Sequence, residues 1–172
     1  MWKVIGSVLV LTATSGVGFL YGVEQQEYLE KLLDIRRIVY QIKGELEYRK
    51  APLGEVFGRV SVRMKEPYRS WLMQLEYQVE NREEDDFYTI WVRAIEQSLG
   101  ELHFKKEHVN QLKEMGSCLG QMDGASEAKN LQLYVERLEL EIEKIRSGLG
   151  EKRRIGNCLG IMGGIFLIIV LI

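Results

Sequence analysis

The fold of this chain is decided by the stretch YLEKLLDIRRIVYQIKGEL, residues 28–46. Its apolar side chains recur at spacings of 4, 3, 4, 3 and 4 residues: Tyr28, Leu32, Ile35, Val39, Ile42 and Leu46. This spacing places them on one face of an α-helix. The stretch 131–149 repeats it with Leu131, Val135, Leu138, Ile142, Ile145 and Leu149. We therefore predict two long helices that pack as an antiparallel pair.

Shorter helices are predicted between these two. Pro52 is expected at the first position of the second helix, where its missing N–H costs nothing. Pro67 is expected to end that helix and open the third. The acidic run Glu83–Asp86 is interpreted as the start of the fourth helix, because carboxylates favour the positive end of the helix dipole. A cation site is the alternative interpretation of this run.

The last two helices complete an all-α prediction. Val109, Leu112, Met115, Leu119 and Met122 share the helical spacing of a fifth helix. Asp123 or Ser126 is expected to cap the sixth. No stretch alternates with period two over the length of a strand, so no strand is predicted. The predicted fold class is a compact bundle of about six helices between two transmembrane helices.

Both ends of the chain are uncharged over a length that can cross a bilayer. The runs 4–23 and 155–172 contain no Asp, Glu, Lys or Arg, and a helix of about 20 residues spans the roughly 30 Å hydrocarbon layer. We predict transmembrane helices at 1–23 and 155–172, with a helical domain at 24–154. The alternatives are a cleaved signal peptide at the N-terminus and a buried core helix at the C-terminus.

Basic residues near the predicted spans indicate the side of the membrane on which the middle domain lies. Lys152, Arg153 and Arg154 directly precede the second span, and Lys31, Arg36 and Arg37 follow the first. Cations near span ends are retained on the cytoplasmic side. We predict a cytoplasmic domain, with both termini on the opposite face and little chain there.

Glycines recur every four residues within both predicted spans. Gly156, Gly160 and Gly164 follow this spacing in the second span, and Gly18 and Gly22 in the first. Four-residue spacing aligns glycines on one helix face, where a neighbouring backbone can approach closely. We interpret them as a packing face; the alternative is that glycine is simply common in membrane helices.

The sequence offers little for catalysis or for binding a cofactor. The net charge of −2 does not suit a nucleic-acid-binding surface. His103 and His108 are five residues apart, which on a helix prevents shared metal ligation. Cys118 and Cys158 are not expected to form a disulfide. We expect no enzymatic activity, no cofactor, no metal, no nucleic acid and no small-molecule substrate.

Several motifs in one order resemble a known family. They are GVGFLYG at 16–22, GELEYRKAPLGEVF at 44–57, LKEMGSCLGQMD at 112–123, NLQLYVERLELEIEKIR at 130–146, and KRR before GNCLGIMGGIFLIIVLI at the end of the sequence. Taken together the chain resembles the stage III sporulation protein AB family of endospore-forming bacteria. The stretches Glu45–Phe57 and Met115–Asp123 match the family pattern, and neither matches a catalytic motif.

The resemblance implies a structural role at a membrane. The family is part of a membrane complex that links the mother cell to the forespore, and its six-helix domain is similar to the F domain of type II secretion systems. That domain is a platform between a cytoplasmic ATPase and a channel. The resemblance thus implies other subunits of the stage III complex, including its ATPase, as partners, in the mother-cell membrane. This chain has one such domain and two spans, where the secretion F proteins have a duplicated domain and three, so the resemblance does not imply that it works alone as their platform does. A homo-oligomer is left open.

Three functions are therefore weighed. The leading hypothesis is a membrane scaffold that docks an ATPase or another cytoplasmic subunit. The alternative is a membrane-anchored signalling or sensor protein, which would need a ligand-binding feature outside the membrane. A membrane enzyme is the third, and it would depend on His103, His108 or the acidic run.

Overall fold

The protein is helical throughout the part of the chain that is described. A computed structural model describes the backbone over 2–49, 51–81, 86–120 and 124–171, and the side chains over 23–48, 51–81, 86–120 and 126–149. Within these ranges there are six α-helices and no strand, which confirms the all-α prediction. The helices are α1 (Trp2–Arg49), α2 (Leu53–Ser61), α3 (Tyr68–Glu80), α4 (Phe87–Leu99), α5 (Lys106–Gly116) and α6 (Gly124–Leu171), with one 3₁₀ turn at Gly100–Leu102.

The chain divides into two compact units. One contains Met1–Leu32 and Leu140–Ile172, and the other contains Leu33–Glu139. The first unit thus groups the beginning of α1 with the end of α6, as an antiparallel pair requires. In the second unit Arg36 of α1 lies 3.5 Å from Glu139 of α6. The domain boundaries predicted at 23/24 and 154/155 stay predictions.

The heptad-like spacing of the two long helices correctly identified their buried faces. All six predicted positions of α1, from Tyr28 to Leu46, are buried. On α6, four of the six predicted positions are buried, and Ile145 and Leu149 are half-buried. Burial of such apolar side chains stabilises a helix far more than its intrinsic propensity does.

The four shorter helices pack in sequence, each against the next. The contact between α2 and α3 is close because two glycines of α2 face two glutamates of α3. The side chain of Glu76 lies directly over Gly58, and Glu80 Cγ lies 3.0 Å from the position of a Cβ on Gly54. Both pairs are spaced by four residues, so the two helices meet along one face of each.

A cluster of four aromatic side chains forms the centre of the shorter helices. Trp71 and Trp91 have ring centroids 5.1 Å apart, and Phe57 stacks on Phe87 at 6.1 Å with an interplanar angle of 8°. Trp91 lies 6.2 Å from Phe57 and 6.1 Å from Phe87. The cluster joins α2, α3 and α4 and supplies much of their buried apolar area.

The proline predictions were right in position and wrong in detail. Pro52 precedes α2 as its N-cap rather than occupying its first turn, and its carbonyl accepts a hydrogen bond from Val56 N–H at 3.1 Å. Helix α2 ends at Ser61, five residues before Glu66. Two tight turns follow Ser61, in which Arg63 N–H donates to Val60 O at 3.1 Å and Met64 N–H donates to Ser61 O at 3.0 Å.

The fifth helix is shorter than its spacing predicted. It ends at Gly116, and Leu119 is buried from a turn instead. Tight turns follow the helix, in which Cys118 N–H donates to Met115 O at 3.1 Å and Leu119 N–H donates to Gly116 O at 3.2 Å. Gly120 then adopts a positive φ of 81°. Met122 lies outside the described residues.

A cap was predicted for the fourth helix and for the sixth. Asp86 caps α4, since its side chain accepts a hydrogen bond from Tyr88 N–H at 3.3 Å. This confirms the helix-start interpretation for that residue, whereas 82–85 lie outside the described residues. Ser126 lies within the first turn of α6 rather than before it, and Asp123 lies outside the described residues.

Candidate interaction site

The residues predicted from the terminal runs fall outside the described side chains. They are Gly18, Gly22, Gly156, Gly160, Gly164, Lys152, Arg153 and Arg154. The backbone of all eight belongs to α1 or α6. None of the helices, over the residues whose side chains are described, contains an apolar segment sufficient to span a bilayer. The packing and topology roles of these eight residues therefore stay predictions.

In the second motif stretch, of which residues 115–120 are described, Gly116 lies against the indole of Trp91. The indole Nε1–H of Trp91 donates to Leu112 O at 2.8 Å. In an α-helix that carbonyl points along the axis towards the residue four positions later, which is Gly116. The indole must therefore pass directly over Gly116. A Cβ on Gly116 would overlap Trp91 Cδ1 and would lie 2.5 Å from Cγ.

The turn after α5 also depends on a glycine. Gly120 adopts the left-handed conformation, and a Cβ there would lie 3.2 Å from Phe87 Cβ. Its N–H donates to the Glu127 carboxylate at 2.7 Å. The buried Glu127 thereby fastens the turn to α6. Glycine is required here both by φ and by the closeness of α4.

The first motif stretch, Glu45–Phe57, has a structural role as well. Val56 and Phe57 are completely buried. Arg59, just beyond the stretch, forms a short ion pair with Glu55 and lies 3.9 Å from the buried Glu45 of α1. The two stretches that carry the family resemblance thus form the packing of α1, α2, α4 and α5.

A second ion pair holds α1 against the connection between α2 and α3. The nearly buried carboxylate of Asp34 lies 2.9 Å from Lys65 Nζ. Burial, together with the negative charge of Asp34, raises the pKa of the Tyr68 hydroxyl above its usual value. The buried Tyr68 hydroxyl has no hydrogen-bond partner among the described residues.

The histidines are placed differently from the prediction. His103 precedes α5 and caps the 3₁₀ turn with a φ of 52°, so the two residues do not share a helix. His103 is exposed and His108 is buried. No group of three or more metal-ligating side chains occurs among the described residues. The thiol of Cys118 is free, and Cys158 lies outside the described side chains.

The exposed apolar side chains offer surfaces for interaction. On α3, Met73 and Tyr77 are one turn apart and exposed; on α6, Leu133 and Leu140 are two turns apart and exposed. The α6 pair was missed from the sequence, although its spacing of seven residues was visible, because it lies outside the series at 131–149 that predicted the buried face. Large exposed apolar side chains at helical spacing are common at sites of helix docking.

Comparison with known proteins places the chain in a family. The family model for stage III sporulation protein AB matches residues 3–172. Stage III sporulation protein AB of Bacillus subtilis (strain 168) is 23% identical over 171 residues, which cover 99% of each chain. A solved structure of stage III sporulation protein AB has the same fold, with a TM-score of 0.64 and 20% identity over 72% of this chain and 97% of that one. The chain belongs to the stage III sporulation protein AB family.

Proposed function

We propose that this chain is a non-enzymatic membrane scaffold of the channel complex between mother cell and forespore. Both ends anchor it in the mother-cell membrane, and its helical domain lies in the mother-cell cytoplasm. There the domain docks the ATPase or other cytoplasmic subunits of the stage III complex. Membership of a sporulation protein family supports this proposal, as does the arrangement of the two long helices.

The observation that carries the proposal is the continuity of α1 and α6. Helix α1 runs without interruption from Trp2 to Arg49, so one helix contains both the apolar run 4–23 and the buried face 28–46. Helix α6 contains the same two parts in the opposite order: the buried positions from Leu131 to Ile142 come first, and the run 155–172 follows. Each long helix thus contains both an apolar run and a buried face, which suits a subunit anchored at both ends.

The cytoplasmic placement rests on the charges beside the predicted spans. Lys152, Arg153 and Arg154 lie on the domain side of the second apolar run, and such cations are retained in the cytoplasm. The docking of an ATPase is what the likeness to secretion F domains implies. The described surface supports a docking role because it exposes apolar side chains on α3 and α6.

Cysteine labelling tests the placement of the domain. Met73 is 48% exposed on α3, so Met73→Cys in a chain carrying Cys118→Ser and Cys158→Ser should react with a small maleimide. In intact protoplasts a membrane-impermeant maleimide should leave this thiol unmodified, and lysis should make it fully reactive. A matched control is a cysteine placed before Met1, which the proposal expects to react in intact protoplasts. Labelling of Met73→Cys before lysis would place the domain outside the cytoplasm and exclude docking of an ATPase.

A further inference from the structure

The outer face of α6, defined by Leu133 and Leu140, is apolar at two successive heptad positions. Leu133 is 56% exposed and Leu140 is 74% exposed. Helix α6 is uninterrupted from Gly124 to Leu171, and residues seven apart on such a helix lie within about 20° of each other. The same helix buries Leu131, Val135, Leu138 and Ile142 on its other side. Helix α6 therefore has an inner face and a second apolar face that nothing within the described chain covers.

The two flanks of this outer face carry opposite charges. Glu136 and Glu143 lie about 50–70° to one side of the leucines, and Arg137 and Lys144 lie about 30–50° to the other. All four side chains are exposed. Glu136 accepts a hydrogen bond from Gln132 at 2.8 Å, and Glu143 lies 3.9 Å from Arg146. Neither Arg137 nor Lys144 forms an ion pair within the described part of the chain.

Membrane anchoring restricts how a second copy can approach this face. Copies in one membrane are related by an axis along the membrane normal, so their α6 helices run in the same direction. This step rests on the proposed function, because it requires that the run 155–172 spans the membrane. A two-fold axis parallel to the helices brings the basic flank of one copy opposite the acidic flank of the other.

We propose that the outer face of α6 binds the same face of a second copy of this chain in parallel. Leu133 then meets the partner's Leu133, and Leu140 meets the partner's Leu140. Arg137 lies opposite the partner's Glu136, and Lys144 lies opposite the partner's Glu143. Each charge pair occurs twice, by symmetry. An antiparallel copy would instead bring equal flanks together, with Arg137 near Arg137 and Glu136 near Glu136, which is unfavourable.

The size of the face suits association within a membrane. Two leucines per copy and four exposed ion pairs form a small interface, weaker than those of obligate dimers. Confinement to one membrane raises the effective concentration of the copies and allows such a face to pair. The proposal therefore applies to the full chain in its membrane.

Disulfide cross-linking in membranes tests the orientation. Leu133→Cys is introduced into the full chain with Cys118→Ser and Cys158→Ser, and the membranes are treated with a mild oxidant. A parallel pair should give a disulfide-linked dimer of Leu133→Cys, and equally of Leu140→Cys. When the two variants are mixed with different tags, few mixed dimers should form. Met73→Cys on α3 is the control for random collision, since it is exposed but off this face.

Charge reversal tests the flanks. In the Leu133→Cys chain, Arg137→Glu with Lys144→Glu makes both flanks acidic, and Glu136→Lys with Glu143→Lys makes both basic. Each variant alone should cross-link about tenfold less than its parent, because four weak pairs become repulsive. The two variants together in one membrane should form mixed dimers at close to the parental level, since acidic flanks then face basic ones.

Three outcomes overturn the pairing. The first is that neither Leu133→Cys nor Leu140→Cys cross-links more than Met73→Cys does. The second is that Leu133→Cys links to Leu140→Cys in preference to itself. The third is that the charge-reversed chains cross-link as much as their parent does. Measuring Leu133→Cys and Leu140→Cys separately keeps the test decisive if one variant fails to accumulate. If the chains cross-linked in parallel but Met73→Cys were labelled in intact protoplasts, the pairing would stand and the proposed function would be rejected.

Discussion

Replacing Trp91 with alanine should lower the free energy of unfolding by about 3–5 kcal/mol. The Trp91 side chain is completely buried and contacts the rings of Phe57, Trp71 and Phe87, so its removal leaves a cavity among three aromatic side chains. The variant also loses the hydrogen bond from Nε1 to Leu112 O. Thermal unfolding of the purified full-length chain in mild detergent, followed by circular dichroism, measures the effect as a lower Tm.

A phenylalanine at the same position separates packing from hydrogen bonding. Trp91→Phe keeps an aromatic ring in the cluster and should cost clearly less than Trp91→Ala, because it leaves a smaller cavity, although it also loses the N–H donor to Leu112 O. The same unfolding measurement compares the two variants. A Tm of Trp91→Ala close to that of the parent would show that the aromatic cluster does not hold α2, α3 and α4 together.

Replacing Gly116 with alanine should destabilise the chain by about 1–3 kcal/mol, although alanine is the better helix former. The added methyl group would overlap the indole of Trp91, which is held over the glycine by its hydrogen bond to Leu112 O. A rigid ring within a packed cluster cannot move aside as the end of a flexible side chain could. Unfolding of the full-length chain under the same conditions gives the size of the loss.

Gly44 provides the matched control for this substitution. It also lies in a helix, and a Cβ there would meet nothing within 4 Å. Gly44→Ala should therefore stabilise the chain by about 0.5–1 kcal/mol, through helix propensity alone. If Gly116→Ala were as stable as Gly44→Ala, the close approach of Trp91 to α5 would be wrong.

Much of the fold could be predicted from the sequence because helical periodicity reports burial directly. The series from Tyr28 to Leu46 is buried at every position, since a face that is apolar at each turn has to leave water. The end of α5 could not be predicted in this way. Leu119 continues the apolar spacing and is buried, yet it lies in a turn. After Gly116 the backbone changes to tight turns with i→i−3 hydrogen bonds, and an apolar series carries no information about that change.

The candidate interaction sites were less predictable than the fold. On α6 the series that begins at Leu131 was correctly predicted to be buried. The exposed face with Leu133 and Leu140 was not predicted, because two apolar positions do not by themselves define a face. The role of Gly116 was equally hidden, because it depends on a tryptophan 25 positions earlier in the chain. The family motifs were recognisable as patterns, but their packing function required the distances.

The scaffold function is tested most directly by purifying the intact tagged chain from sporulating cells. Mild detergent extraction, affinity capture and mass spectrometry should recover the ATPase and membrane subunits of the stage III complex together with the tagged chain. The Trp91→Ala chain, expressed at the same level, should recover several-fold less of them, since its docking domain is destabilised. Recovery of the intact, folded chain without any other subunit of that complex would contradict the account.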